Sequence, residues 1–256
     1  MTRTTAAVIG VLIIVGAITL LALYPFAPAD HEAPFDPADP ERYEASGTIL
    51  LDGETYVDYE GAVAADGTAY FRARSGDGYE REVYEEDGVV YARLETTDES
   101  RIDDVERVVG GEVVSREETD GRTVAIIRAE EPDQRVDDFL IEWNRVVVDT
   151  LQYSAYERVD DGVHEPQNGW VDSSRDYRIT GASGKLVVDS DAGTVSRADV
   201  TFDRTVAGSS LAYLRERDDS VRYDLEYEMR AGASNVEAPG WVENVRLGET
   251  SGTDDR

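Results

Sequence analysis

The stretch that comes closest to a chemical motif is Gly181-Ala182-Ser183-Gly184-Lys185. A phosphate-binding loop of the Walker type cradles an anion on backbone N–H groups, and needs a glycine five residues before Gly184 and Ser or Thr after the lysine. Ile179 and Leu186 stand at those places, so the segment reads as a hairpin turn. It is no nucleophile elbow either, because the second glycine is missing. His164 is within sequence reach of Ser173 and Ser174, but no spacing implies a carboxylate to orient it, and it reads as a surface residue. Asp189-Ser190-Asp191-Ala192-Gly193 begins like a calcium loop, yet Gly193 and Val200 occupy the fifth and twelfth places, where oxygen ligands are required. It reads as a carboxylate-rich turn. There is no cysteine, which excludes disulfides, thiol catalysis, thiolate zinc sites and a lipid-modified N-terminal cysteine. The two histidines, His31 and His164, do not make a metal site. The sequence therefore assigns no catalytic residue, no metal ligand and no cofactor, and the protein reads as non-catalytic.

What remains to carry function is an apolar surface. In Arg135–Arg158, Val136, Phe139, Leu140, Trp143, Val147 and Leu151 recur at three- and four-residue steps, with Asp137, Asp138, Glu142, Arg145 and Asp149 largely opposite. That spacing predicts one long amphipathic helix, with Asp133 as its N-cap. Such a stripe must be covered, and strands before and after it are the only candidates. Phe139, Leu140, Trp143, Val147 and Leu151 are the candidate lining of whatever helix and sheet enclose.

The rest of the chain reads as strands and turns. Thr48–Leu51, Thr55–Ala64, Thr68–Arg74, Tyr79–Glu85 and Val89–Leu94 are separated by four Asp-Gly pairs, the strongest short hairpin signal, and predict an antiparallel meander. Ser100–Val109 predicts a short helix stopped by Gly110-Gly111, and Val113–Glu117 with Arg122–Ala129 another hairpin. Asp160–Arg175 reads as a polar loop. Tyr177–Thr180, Lys185–Asp189 and Ser196–Thr205 follow as strands, with a helical turn at Ser209–Arg217. Val221, Tyr223, Leu225, Tyr227 and Met229 alternate without error against charged residues, the clearest strand of all. From about Leu247 the chain reads as a polar tail.

Composition places this body. The 256 residues carry 55 acidic and 25 basic side chains, a formal net charge of −30 spread along the whole chain. Such self-repulsion becomes tolerable where molar salt shortens the Debye length to about 3 Å, so the surface reads as that of a protein from a high-salt habitat. No basic patch offers itself to nucleic acid. Ala6–Tyr24 is uncharged and long enough to cross a bilayer as a helix of about 28 Å. It is expected to anchor the chain by a single span, N-terminus inside and globular body outside; the alternative is a signal removed near Ala29, within Ala27-Pro28-Ala29. Pro25–Tyr43 holds five of the eight prolines and reads as an acidic spacer. The expected organisation is thus an anchor over 1–24, a spacer over 25–43, a body over 44–246 and a tail over 247–256.

Asp176-Tyr177-Arg178-Ile179-Thr180-Gly181, Gly184–Asp189, Gly193-Thr194-Val195, the strand Tyr223–Met229 and the closing Asn235-Val236-Glu237-Ala238-Pro239-Gly240-Trp241-Val242 carry a resemblance. Together they resemble haloarchaeal membrane-anchored and lipoprotein-type proteins distantly similar to LolA, LolB and LppX. The resemblance spans roughly Tyr43 to Val245. It implies an α+β fold, an incomplete antiparallel β-barrel with the long helix on its concave side, where the better-known relatives hold acyl chains. Two readings follow. In one, a membrane-anchored extracellular domain binds a lipid-like ligand in the half-barrel. In the other, a cell-surface interaction or scaffold domain has a filled core and no small ligand.

Overall fold

The structure, a computed structural model, describes residue 35 and residues 42–171, 177–232 and 235–251, with side chains of the last segment as far as 248. The anchor expected at Ala6–Tyr24 lies outside the described residues, among which no helix is long and apolar enough to cross a membrane.

Five strands open the body: β1 (Tyr43–Leu51), β2 (Glu54–Val63), β3 (Ala69–Arg74), β4 (Glu80–Glu86) and β5 (Val89–Thr96). The turns follow from the Asp-Gly pairs in two ways. At Asp52-Gly53 and Asp87-Gly88 both residues have positive φ, 52° and 82°, then 52° and 77°, as a two-residue hairpin turn of type I′ requires. At Asp66 and Asp77 the carboxylate instead accepts the N–H two residues on, from Thr68 at 3.0 Å and Tyr79 at 3.2 Å, and only the glycine is left-handed. Helix α1 (Ser100–Val109) follows, closed by Gly110 at φ 74°, and leads to the hairpin of β6 (Glu112–Thr119) and β7 (Arg122–Ala129).

Beyond the long helix α2 (Val136–Leu151) come β8 (Ala155–Asp160), β9 (Val163–Gln167), β10 (Gly169–Val171), β11 (Tyr177–Asp189), β12 (Thr194–Val206), the short helix α3 (Ser210–Glu216), a 3₁₀ turn (Arg217–Asp219), β13 (Val221–Ala231) and helix α4 (Gly240–Ser251). All thirteen strands form one antiparallel sheet in the order β6-β7-β5-β4-β3-β2-β1-β13-β12-β11-β9-β8, with β10 beside β11. It is curved and does not close, since β6 and β8 end it on opposite sides. The centre is β1, flanked by β2 and β13, so the first and last strands of the body bind its halves together.

That order explains the long helix. The chain leaves β7 near one edge and must reach β8 at the other. Helix α2 makes this passage, touching β4, β3, β2, β1 and β13 on the inner face. Its 16 residues rise about 24 Å, and four interstrand steps span about 19 Å, so the helix is long enough to cross those five strands diagonally.

Several expectations are corrected. The helix ends at Leu151, not Arg158: the apolar spacing lapses there, the last amides turn back to Val148, Thr150 and Leu151 carbonyls, and Ala155–Asp160 joins a hairpin around Asp161-Gly162. Its N-cap is Arg135, whose N–H is accepted by the Asp138 carboxylate at 3.0 Å, and not Asp133, whose side chain turns toward Gly110. The supposed loop Asp160–Arg175 contains β9 and β10, because β11 needs a partner on its far side. Gly181–Lys185 is no hairpin turn but an irregularity inside β11, where Gly184, at φ 108°, lies against the Asp199 carbonyl and leaves no room for a side chain. Leu247 belongs to α4, since Trp241, Val242 and Val245 pack with Tyr84 and Tyr91 in a small second core on the outer face. The spacer is not free throughout: Phe35 is buried, edge-on to Tyr156 with ring centroids 5.7 Å apart, and Tyr43 already belongs to β1.

Candidate functional site

Phe139, Leu140, Val147 and Leu151 are all buried on the inner face beneath α2, while Trp143 is half-buried at the margin of the stripe. Each finds a protein partner. Phe139 stacks on Phe71 of β3, with centroids 6.0 Å apart and planes 15° from parallel. Trp143 lies 6.1 Å from both Tyr59 and Phe71. Leu140 fills the space above Gly61 of β2, where an added Cβ would stand 2.5 Å from the leucine methyl. The helix therefore sits closer to the sheet than any larger residue at 61 would allow.

Among these apolar contacts lies a polar island. In the register of the sheet Gly47 of β1 is opposite both Tyr59 and Tyr227, so the two phenols flank a strand position without a side chain. The Tyr59 hydroxyl donates to Asn144 Oδ1 of α2 at 2.6 Å, fully buried. Asn144 Nδ2 and the Tyr227 hydroxyl have no hydrogen-bond partner among the described residues. Burial, and after it the neighbouring Tyr227 and Tyr43, holds the Tyr59 phenol well above its ordinary range; burial does the same for Tyr227. These groups are neutral at any ordinary pH and bear no nucleophile.

Two arginines bound this region. Arg81 of β4 is buried, its guanidinium 4.3 Å from the Phe139 ring centroid and 5.3 Å from that of Phe71, and burial lowers its pKa. Its Nε has no partner among the described residues, and its charge is compensated by Tyr79, which also hydrogen-bonds to it, by Glu142 and by the two aromatic faces. Arg204 of β12 is held between Tyr153 and Tyr177 at 4.4 and 4.5 Å. Glu85, also on β4 and buried, accepts the Val136 N–H at 3.1 Å and pairs with Arg135 at 2.8 Å. A carboxylate at that place meets the positive end of the helix dipole and fixes where α2 begins.

An open groove lies on the other side of the sheet. It measures about 360 Å³ and adjoins two of about 230 Å³ around Ser46 and Thr48. They exist because β1 presents small outward side chains between the longer Glu60 and Glu228 of its neighbours. Charges of both signs line them, with Arg72 bonded to Glu80 and Arg230 to Glu228.

The remaining sequence candidates do not converge. His164 is a strand residue of β9 opposite Arg158, and burial, then the nearby guanidinium, lowers its pKa. Ser173 and Ser174 lie outside the described residues. The Asp189 carboxylate accepts the N–H groups of Asp191 and Ala192 at 2.9 and 3.1 Å, a turn closed on itself. No group of three or more His, Cys, Asp or Glu suited to a metal occurs among the described residues.

Sequence reading missed Arg81, Glu85, Tyr59 and Arg204 as inward-facing groups, whereas the alternation of Val221 to Met229 had already placed Tyr227 on the buried side of its strand. Asn144 alone left a signal, a polar residue four after Leu140 and three before Val147, within the apolar stripe. No family model matches the chain, and no curated protein or solved structure matches it.

Proposed function

We propose that the protein is a membrane-tethered, non-catalytic domain displayed outside the cytoplasm, working through its surface, as a cell-surface interaction or scaffold module. The observation that carries this reading is the filled inner face. Phe139 on Phe71, Leu140 over Gly61 and Tyr59 on Asn144 occupy the ground where a half-barrel of the LolA type would take an acyl chain. In this reading α2 is a strut tying the halves of the sheet, and the anchor expected at Ala6–Tyr24 keeps the domain at the membrane. The acidic surface then serves solubility in brine.

Native mass spectrometry tests this directly. The full chain, extracted with its own lipids and kept in molar salt, is expected to show the mass of the polypeptide alone after detergent removal. Trp143→Glu is expected to lower stability, and its spectrum to show again the polypeptide alone, shifted only by the substitution. A co-purifying lipid that disappears on Trp143→Glu would establish the ligand-binding alternative instead.

A further inference from the structure

One end of the sheet differs from the other. At the first end β1 finishes at Leu51, β13 begins next to it, and β12 finishes at Val206, opposite Tyr177. At the second end stand Tyr43, Ala231, Asp189 and Thr194. Exposed large apolar side chains gather at the first: Tyr56 at 56%, Val206 at 56%, Leu211 at 44% and Leu214 at 60% of full exposure. The other four on the described surface, Val114, Val146, Val159 and Leu247, stand singly on separate elements.

Leu211 and Leu214 are three residues apart and share one face of α3, a helix with no buried residue at all. Tyr213 of the same helix packs edge-on to Trp170 at 6.2 Å, which fixes α3 to the body while its leucines remain outward. Val206 and Val221 line a groove of about 170 Å³ beside Glu216 and Asp219. The charges around it, Arg215 and Arg217 against Glu216, Asp218 and Asp219, nearly balance, in contrast to the strong negative excess of the whole chain.

The tether points to the same end. Phe35 is pinned on Tyr156, whose hydroxyl donates to the carbonyl of Leu151, the last residue of α2. Two residues on, Tyr153 stands against Tyr177, Tyr223 and Arg204 at the first end. Eleven residues lead from Tyr24 to Phe35, a reach of at most about 40 Å, comparable to the length of a single long strand. A body attached this closely must turn some face to the bilayer. An uncharged aliphatic cluster on a short surface helix, locally near charge balance, suits the interfacial layer of lipid better than brine.

We propose that the end bearing Val206, Leu211, Leu214 and Tyr56 rests on the lipid surface to which the chain is tethered. This depends on the tethered reading above. It fixes the orientation of the domain, with the turns at Asp87-Gly88 and Asp189–Gly193 facing away and the outer grooves near Ser46 standing along its side.

The absence of cysteine makes the test direct. Single substitutions Leu214→Cys, Ser190→Cys and Gly16→Cys, each carrying an environment-sensitive dye, are compared in the full chain reconstituted into phosphatidylcholine vesicles in molar KCl, with quenchers attached to the lipid. The Gly16 label should be strongly quenched, and the Leu214 label quenched roughly twofold or more above that at Ser190. A quenched Gly16 with Leu214 no different from Ser190 overturns the orientation and leaves the tether standing. An unquenched Gly16 overturns the tether, and the orientation with it. A dye at Tyr56→Cys supplies a second reading: its quenching should fall when Leu211→Asp and Leu214→Asp are introduced at exposed positions that the fold tolerates. Unchanged quenching there, or a dimer in lipid-free solution that these substitutions dissolve, also refutes the proposal.

Discussion

If α2 is a strut and not a movable lid, the bond between Tyr59 and Asn144 must be coupled to folding. Tyr59→Phe removes the donor to Asn144 Oδ1 and leaves the ring in contact with Trp143. The amide then lies buried with neither its oxygen nor its Nδ2 bonded to a described residue, and the expected loss is about 1–3 kcal/mol. Asn144→Leu removes an amide already half-satisfied but strands the Tyr59 hydroxyl, so its cost should fall at the low end of the same range, about 1 kcal/mol. The double variant carries neither polar group into an apolar contact and is expected to be near wild-type stability or above it. The coupling between the two sites should therefore be about 2–4 kcal/mol, far outside the few tenths shown by independent positions. For a body of this size each kcal/mol moves Tm by about 2–4 °C, so urea and thermal unfolding in molar KCl resolve the cycle. Single effects that simply add would refute the reasoning, because they would mean that the helix does not hold its partner in the folded ensemble.

Three further outcomes follow from the same geometry. Glu85→Ala should cost about 2 kcal/mol by uncapping the helix and should speed hydrogen exchange of the first turn of α2, whereas Glu85→Gln, which keeps an acceptor, should cost less than half as much. Phe139→Ala should cost about 3–5 kcal/mol through the cavity left beside Phe71, while Arg81→Met, which removes a buried charge with an unbonded Nε, should be neutral or stabilising in urea unfolding. Burial holds the Tyr59, Tyr156 and Tyr227 phenols above their unfolded range of about 10, so the folded state retains protons that the unfolded chain has lost. Their stabilising contribution is complete below about pH 10 and falls as pH rises beyond it; a Tm that stays level from pH 9 to 12 while those phenols remain silent at 295 nm would contradict this.

Much of the fold was legible because its signals are local. Asp52-Gly53, Asp87-Gly88 and Asp120-Gly121 fold as two-residue hairpin turns, each with positive φ at both places, and α1 covers the expected Ser100–Val109. The alternation from Val221 to Met229 gave β13 almost to the residue. The extent of α2 was misjudged because Gln152–Arg158 contains neither glycine nor proline to mark a stop. Only the pairing of β8 with β9 and the bond from Tyr156 to the Leu151 carbonyl end the helix. Helix α4 was illegible past Leu247 for the complementary reason: its anchor is Tyr84 and Tyr91, on strands far away in sequence.

The inner face shows the same division. That Phe139, Leu140, Val147 and Leu151 are turned inward follows from helical spacing alone, since a stripe at three- and four-residue steps has one solution when one side must leave water. Spacing cannot show what stands opposite. Phe71 beneath Phe139, Gly61 beneath Leu140 and Tyr59 on Asn144 are set by the crossing of α2 over β3 and β2, and that crossing by a strand order which puts β7 and β8 at opposite sides of the sheet. Composition and local pattern therefore determined the acidic surface, the turns, most strands and the greasy side of the helix. Register and long-range pairing decided which side chains fill the inner face, because contacts between residues dozens of positions apart depend on where whole elements lie and not on the residues beside them.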